Sequence, residues 1–356
     1  MKKILVFIAV CILTLVGCSQ ETTTTTTTTQ GTTTTTTQTT TTTSRDNIKF
    51  VEVDDFELEV GETYDISSVL RSNMTLIAGD EHVSVEGGVV TGVSVGSSCV
   101  GIEYGGRTQY VDIEVKEPGT TPNVPFNLFR LKGKKIIAIG DSVTASATIY
   151  NQDTYFDLFA KKFEMVKGTN YAIGGTTATY TYYGSNIYKQ YGALPHIKDG
   201  CKIVYDAYKN NELADVDYVF IAYGHNDQYF QPPIDNAYNG EFNIDSFDSC
   251  RSFTKSYEYM IQALRYANPN VRIILLNCTY SEYDITDPTI YGKTYSYADY
   301  REAIKNVAEQ YQCRYIDPWD YMKDYCDYQD KMVYYLDSVH LSVKGHSVLY
   351  KYIIEN

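Results

Sequence analysis

Four stretches of different hydrophobic rhythm follow one another along the chain. Ile4 to Val16 is an apolar run behind Lys2 and Lys3, the charged start and short apolar core of an export signal. Thr22 to Ser44 holds 19 threonines among 23 residues with no apolar side chain, so this segment has nothing to bury in a core. From Ile48 to Val115 apolar positions alternate with polar ones, as in Val51, Val53, Phe56, Leu58 and Val60 or Val111, Ile113 and Val115. A period of two predicts half-buried strands. Turn residues at Gly61-Glu62, Gly79-Asp80, Gly87-Gly88 and Gly105-Gly106 separate them, spacing suited to a sandwich of about seven strands. Pro118, Gly119, Pro122 and Pro125 then mark a linker.

After the linker, apolar β-type runs alternate with amphipathic helical ones. Strands are expected at Ile136–Ile139, Asn170–Ile173, Tyr218–Tyr223, Val271–Leu276 and Arg314–Ile316. Helices are expected at Tyr155–Met165, Phe247–Ala267, Tyr297–Tyr311 and Val343–Ile353. Strands each followed by helical sequence predict a parallel sheet covered on both faces. The expected organisation is 1–17 signal, 18–45 stalk, 46–117 β-sandwich, 118–127 linker and 128–356 α/β domain.

Composition narrows the partners. The 356 residues carry 30 Lys and Arg against 44 Asp and Glu, a net charge of −14, which disfavours nucleic acid or any other polyanion. No apolar run after residue 18 is long enough to cross a bilayer. Of eight cysteines, Cys99, Cys201, Cys250, Cys278, Cys313 and Cys326 follow the leader, with no C-x-x-C pair and no neighbouring His. Isolated buried thiols are therefore expected, with neither a zinc site nor a disulfide framework. No spacing implies a metal or an organic cofactor.

In an open parallel sheet, ligands bind beyond the carboxyl ends of the strands. The sequences there are Gly140-Asp141-Ser142, Gly174-Gly175, Gly224-His225-Asn226-Asp227 and, near the C-terminus, Asp337-Ser338-Val339-His340. Alone, each has a bland reading: Ser142 as a helix cap, Gly174-Gly175 as a turn, Asn226-Asp227 as a loop, Asp337 and His340 as closing the last helix. Together they are the residue types that acyl transfer needs. A serine is a poor nucleophile until a base takes its proton, and the base needs an acceptor on its other nitrogen. A developing oxyanion needs donors already in place.

These four blocks, in this order, resemble the SGNH hydrolases, also called the GDSL esterase/lipase family, from about Lys134 to the C-terminus. The resemblance implies a flavodoxin-like three-layer α/β/α fold and a serine esterase. It assigns Ser142 as nucleophile, His340 as general base and Asp337 as the residue that orients it. It assigns the oxyanion hole to Ser142, Gly175 and Asn226. One departure is Ser146, where the family commonly has a Gly four residues after the nucleophile. The G-x-S-x-G elbow of the α/β-hydrolase fold is absent around Ser142. Among the other histidines, His82, His196 and His346 lie away from these blocks, and His225 is read as a pocket-wall or substrate-contacting residue.

Two further resemblances concern the N-terminal part. Leu15-Val16-Gly17-Cys18 resembles the lipobox of bacterial lipoproteins, which implies a lipid on Cys18 and a protein exported and tethered to the membrane, facing the cell exterior. The Gly placement and strand rhythm from Leu58 to Gly96 resemble bacterial immunoglobulin-like group 2 domains, implying a small all-β immunoglobulin-like sandwich used as a spacer or an adhesive module. If extended at about 3.1 Å per residue, the threonine stalk would reach roughly 70 Å.

The substrate is expected to be an acylated small molecule or polysaccharide. Of 35 tyrosines, 32 follow residue 120, and Tyr183 and Tyr229 are candidate substrate contacts, since a phenol ring suits a sugar face. Long apolar loops for a fatty acyl chain are missing, which favours acetyl. Two other classes share these features: an acyltransferase using the same three residues, and a surface protein that binds glycans without catalysis.

Overall fold

The computed structural model describes residues 28–29, 32–33, 49–145, 151–179, 199–235, 241–283, 292–328 and 331–356. The chain divides into two compact units, Met1–Pro118 and Gly119–Asn356. Within the threonine run, β1 (Thr28–Thr29) pairs antiparallel with β2 (Thr32–Thr33), a two-residue ladder where no regular structure was expected. Cys18, Tyr183 and His196 lie outside the described residues.

In the first unit, β3 (Phe56–Glu59), β9 (Arg107–Lys116), β8 (Gly96–Tyr104) and β5 (Thr75–Ala78) form one sheet in that order. The other sheet orders β4 (Thr63–Asp65), β7 (Val89–Gly92) and β6 (Val83–Glu86). All pairs are antiparallel except β3 with β9. The alternation seen in the sequence becomes burial: Val111, Ile113 and Val115 point inward while Asp112 and Glu114 face water. Cys99 is disulfide-bonded, against the expectation of isolated buried thiols; Cys201, Cys250, Cys278 and Cys313 are free and buried, the first two facing each other, and Cys326 is free and half-buried.

The second unit is a five-stranded parallel sheet. In chain order its strands are β10 (Lys135–Gly140), β11 (Val166–Asn170), β12 (Tyr218–Ala222), β13 (Arg272–Leu276) and β14 (Arg314–Ile316). Their spatial order is β11-β10-β12-β13-β14, the doubly wound order that reverses direction between the first and third strands. Both faces are buried. Ile137, Ile139, Val219, Ile221, Ile273 and Leu275 pack on one side, and Ile136, Ala138, Tyr218, Phe220, Ile274 and Leu276 on the other. Near-continuous apolar runs are what such a sheet requires. Asp217 staples the entry to the sheet: its carboxylate accepts the Lys135 N–H at 2.7 Å, and its carbonyl accepts the Arg272 N–H at 2.8 Å.

The helices cover these faces. They are α1 (Leu128–Leu131), α2 (Tyr155–Lys162), α3 (Gly200–Lys209), α4 (His225–Phe230), α5 (Phe253–Ala267), α6 (Tyr297–Gln310), α7 (Trp319–Tyr328), α8 (Lys331–Tyr334) and α9 (Val343–Glu355). Side chains satisfy free N–H groups at several starts: Asp199 caps α3, Ser252 caps α5, Ser296 caps α6 and Ser342 caps α9.

Two element expectations need correction. The second strand is Val166–Asn170, not Asn170–Ile173. It is an edge strand, largely exposed and polar, so it lacks the apolar run that marks buried strands. It ends where the Asn170 side chain turns back to accept the Ala172 N–H at 3.1 Å. The helix expected from Phe247 is two elements: a 3₁₀ segment at Ile244–Ser249, then α5 started by the Ser252 cap.

Phe220 tests the packing of the face that carries α2. It is fully buried, edge-on to Tyr155 at 5.6 Å and to Phe159 at 5.3 Å between ring centres. Phe220→Ala is expected to lower unfolding free energy by about 3–5 kcal/mol. Urea denaturation followed by the emission of Trp319, the single tryptophan, measures it.

Candidate active site

Ser142 sits two residues beyond the end of β10, and Asn226 four residues beyond the end of β12. These neighbours flank the point where the sheet order reverses, where a crevice opens in this architecture. Gly140 makes the turn out of β10 possible: a Cβ there would lie 2.6 Å from the Ala222 carbonyl oxygen.

His340 and Asp337 arrive from elsewhere. Tyr335 and Leu341 form an isolated antiparallel bridge, and the Leu336 N–H donates to the His340 carbonyl at 2.7 Å, closing a tight loop just ahead of α9. Within it, Asp337 Oδ1 accepts the N–H groups of Val339 (2.8 Å) and His340 (2.7 Å). Asp337 Oδ2 lies 2.7 Å from His340 Nδ1, and His340 Nε2 lies 2.9 Å from Ser142 Oγ. The three side chains expected from the sequence therefore form one continuous hydrogen-bonded relay. Burial raises the pKa of Asp337, yet the hydrogen bonds from the His340 and Val339 N–H groups and the His340 ring outweigh it and hold the carboxyl below the usual range. The relay is open to water: the Asp337 side chain is 51% exposed and that of His340 23%.

Gly175 takes φ +79° with open space around it, a backbone conformation that favours glycine. Asn226 Nδ2 donates one N–H to the Thr176 carbonyl at 2.8 Å, which fixes the plane of the amide against the segment that follows Gly175. Asp227 strengthens the same junction. Fully buried, it accepts the Ala178 N–H at 3.1 Å on both oxygens. The sequence offered only its place in the Asn226-Asp227 pair, with no sign of what it would hold.

His225 belongs to the wall. It is 6% exposed, with Nδ1 3.4 Å from the Tyr297 hydroxyl and Nε2 3.3 Å from Thr279 Oγ1. Burial pushes its pKa down to about 3, so the ring is neutral. Both ring nitrogens lie within hydrogen-bond reach of protein hydroxyls. Tyr229 is half-exposed on α4, edge-on to Phe230 and beneath the Lys293 ammonium. His346 is buried against Tyr155, whose N–H it accepts on Nδ1 at 3.4 Å. His82 pairs with Ser94 in the first unit.

Two buried carboxyls stand next to the site. Burial pushes Asp141 up to about 7 and Asp227 up to about 8, far above the usual carboxylate range. Among the described residues, no cluster of three or more His, Cys, Asp or Glu side chains could hold a metal ion, and no helix is long and apolar enough to cross a membrane.

The GDSL-like Lipase/Acylhydrolase family matches residues 138–348. No curated protein sequence matches the chain. Among solved structures it is similar to a protein from Lactobacillus plantarum, at 18% identity over 63% of this chain and 96% of that one, TM-score 0.42. It is also similar to Axe2, an acetylxylan esterase from Geobacillus stearothermophilus, at 18% identity over 63% and 94%, TM-score 0.39. A third is an alpha/beta hydrolase enzyme from the metagenome of Lake Arreo, Spain, at 17% identity over 64% and 97%, TM-score 0.40.

Asp227 gives a pH test of this geometry. Its pKa of about 8 in the folded chain exceeds the ordinary 3.8, so the folded state holds the proton that the unfolded state releases. That contribution is complete below about 3.8 and is lost as pH rises through about 8. The urea midpoint is expected to fall between pH 6 and 9, and Asp227→Asn to fall less steeply over the same range; identical slopes would contradict the assignment.

Proposed function

Because the chain belongs to the GDSL-like lipase/acylhydrolase family, we propose that this esterase works through Ser142, His340 and Asp337 on short acyl esters, acetyl above all, carried by carbohydrate. The observation that carries the reading is the relay of 2.9 and 2.7 Å from Ser142 Oγ to Asp337.

The steps follow from the geometry. Nε2 of His340 takes the Ser142 proton as Oγ attacks the acyl carbon. Asp337, ionised and bonded to Nδ1, fixes the tautomer and stabilises the imidazolium that forms. The carbonyl oxygen becomes an oxyanion that receives the Ser142 N–H, the Gly175 N–H and the second N–H of the Asn226 amide, whose first is held by Thr176. Each such donor is typically worth about 2.7–4 kcal/mol because it is oriented before the charge develops. The imidazolium then protonates the leaving alcohol, and water, activated by the same nitrogen, releases the acid from Ser142.

The substrate class rests on the openness of the relay and on its surroundings. A half-exposed acid and a partly exposed base suit an ester on a chain too large to be enclosed. Tyr229 offers a ring on which a sugar face could lie. Cys18 is assigned as the lipid attachment site, since two or more acyl chains anchor where one would not. The threonine stalk and the immunoglobulin-like unit then act as spacers that carry the esterase outward from the membrane.

The full chain is expected to hydrolyse p-nitrophenyl acetate and release acetate from acetylated polysaccharide. Ser142→Ala should reduce kcat by about 10⁴-fold or more. Equal activity of the two proteins would overturn the role of Ser142, and fatty-acid release far exceeding acetate would overturn the acyl specificity.

A further inference from the structure

The loop that carries Asp337 and His340 is held from outside by residues to which no family motif assigns a role. Ser338 is its middle residue, between the acid and the base. The buried Ser281 Oγ donates to the Ser338 carbonyl at 3.1 Å, and the Ser338 hydroxyl donates to Glu282 Oε2 at 3.1 Å. Ser281 is itself oriented by the Tyr283 N–H, 3.2 Å from its Oγ. Glu282 is in turn gripped by an ion pair with Lys331 at the start of α8. Ser281 and Glu282 follow β13, so the loop is fixed to the sheet through a strand that carries none of the reacting groups.

We propose that Glu282, acting through Ser338 and aided by Ser281, is a positioning residue for the Asp337–His340 pair. The internal bonds of the loop satisfy Asp337 but do not say where the loop as a whole lies relative to Ser142. Two bonds to Ser338, one on its backbone and one on its side chain, remove the freedom of the loop to tilt. A displacement of the base of about 1 Å can cost as much as about 10²-fold in rate. Losing one holding contact on a mostly exposed loop is expected to cost about tenfold.

This inference rests on the serine esterase reading, and the experiment separates the two. In the full-length protein, Glu282→Ala and Ser338→Ala are each expected to lower kcat for p-nitrophenyl acetate about tenfold with KM within about twofold, since the alignment of the base is what is lost. The double variant should be no slower than either single one, because both remove the same bond. Glu282→Gln keeps an acceptor for Ser338 and should retain most of the activity. The low-field proton resonance of His340 Nδ1–H should broaden or shift upfield, a change that a merely structural role would not produce. Wild-type kcat and an unchanged resonance in Glu282→Ala would overturn the proposal, as would losses that multiply in the double variant. A wild type inert toward the ester would instead overturn the esterase reading, while the resonance would still report whether Glu282 holds the loop.

Discussion

The parallel pairing of β10 with β12 is the constraint on which the site depends. Ile136 lies beside Tyr218, and the register continues without a break to Gly140 beside Ala222. The two strands therefore leave the sheet at the same level, and Asp141-Ser142 and Gly224-His225-Asn226 emerge as neighbours. The register is not free to slip. Ile137, Ile139, Val219 and Ile221 are buried on one face, and Ile136, Ala138, Tyr218 and Phe220 on the other, so a shift of one residue would exchange two sets of side chains already fitted to different helices. Ser142 and Asn226 are thus placed by hydrophobic packing several residues away.

Electrostatics divides the carboxyls of the site into two kinds. Asp337 is half-exposed and accepts three hydrogen bonds, which hold it below the usual carboxylate range. Asp141 and Asp227 adjoin Ser142 and Asn226 in the chain. Burial pushes both upward, which keeps that side of the site closer to neutral. His225 is likewise driven down to about 3 by burial, so its ring carries no positive charge near pH 7.

Much of this was legible in the sequence because the signals were local. The buried strands read as apolar runs, and Ser142, Asn226, Asp337 and His340 lie in short blocks whose residue types are those of acyl transfer. What escaped was set by tertiary context. The edge strand Val166–Asn170 is polar because one side has no neighbouring strand, so hydrophobic periodicity could not find it. Helix α3 begins at Gly200, where a Cβ would lie 2.7 Å from Met260 Sδ and 2.9 Å from the Tyr223 ring; such close packing leaves no local trace beyond a glycine. His225 looked available because it stands between Gly224 and Asn226, and only the folded chain turns it toward Thr279 and Tyr297. Asp227 and Glu282 act on segments about fifty residues away in sequence, a pairing that no spacing rule reveals.

The relay also raises a question of alignment that the sheet alone does not answer. Ser142 lies two residues beyond the first strand of the sheet, whereas His340 lies 198 residues later in the chain, in the loop ahead of α9. A further link runs through Gln152 and the start of α2. Gln152 Nε2 donates to the Leu341 carbonyl at 2.9 Å, next to the base, and the Tyr155 N–H at the start of α2 meets His346 Nδ1 on α9. Burial pushes His346 down to about 4, so its ring is neutral near pH 7 and able to accept that N–H. Tyr155 meanwhile shares a hydrogen bond of 2.8 Å with Thr144, two residues beyond the nucleophile. The separation of Ser142 and His340 is therefore also held by a closed circuit. It passes from Ser142 through Thr144 to Tyr155, across to His346, and back along the start of α9 to His340. A relay built this way tolerates an open, water-exposed acid, because its geometry is carried by buried groups behind it.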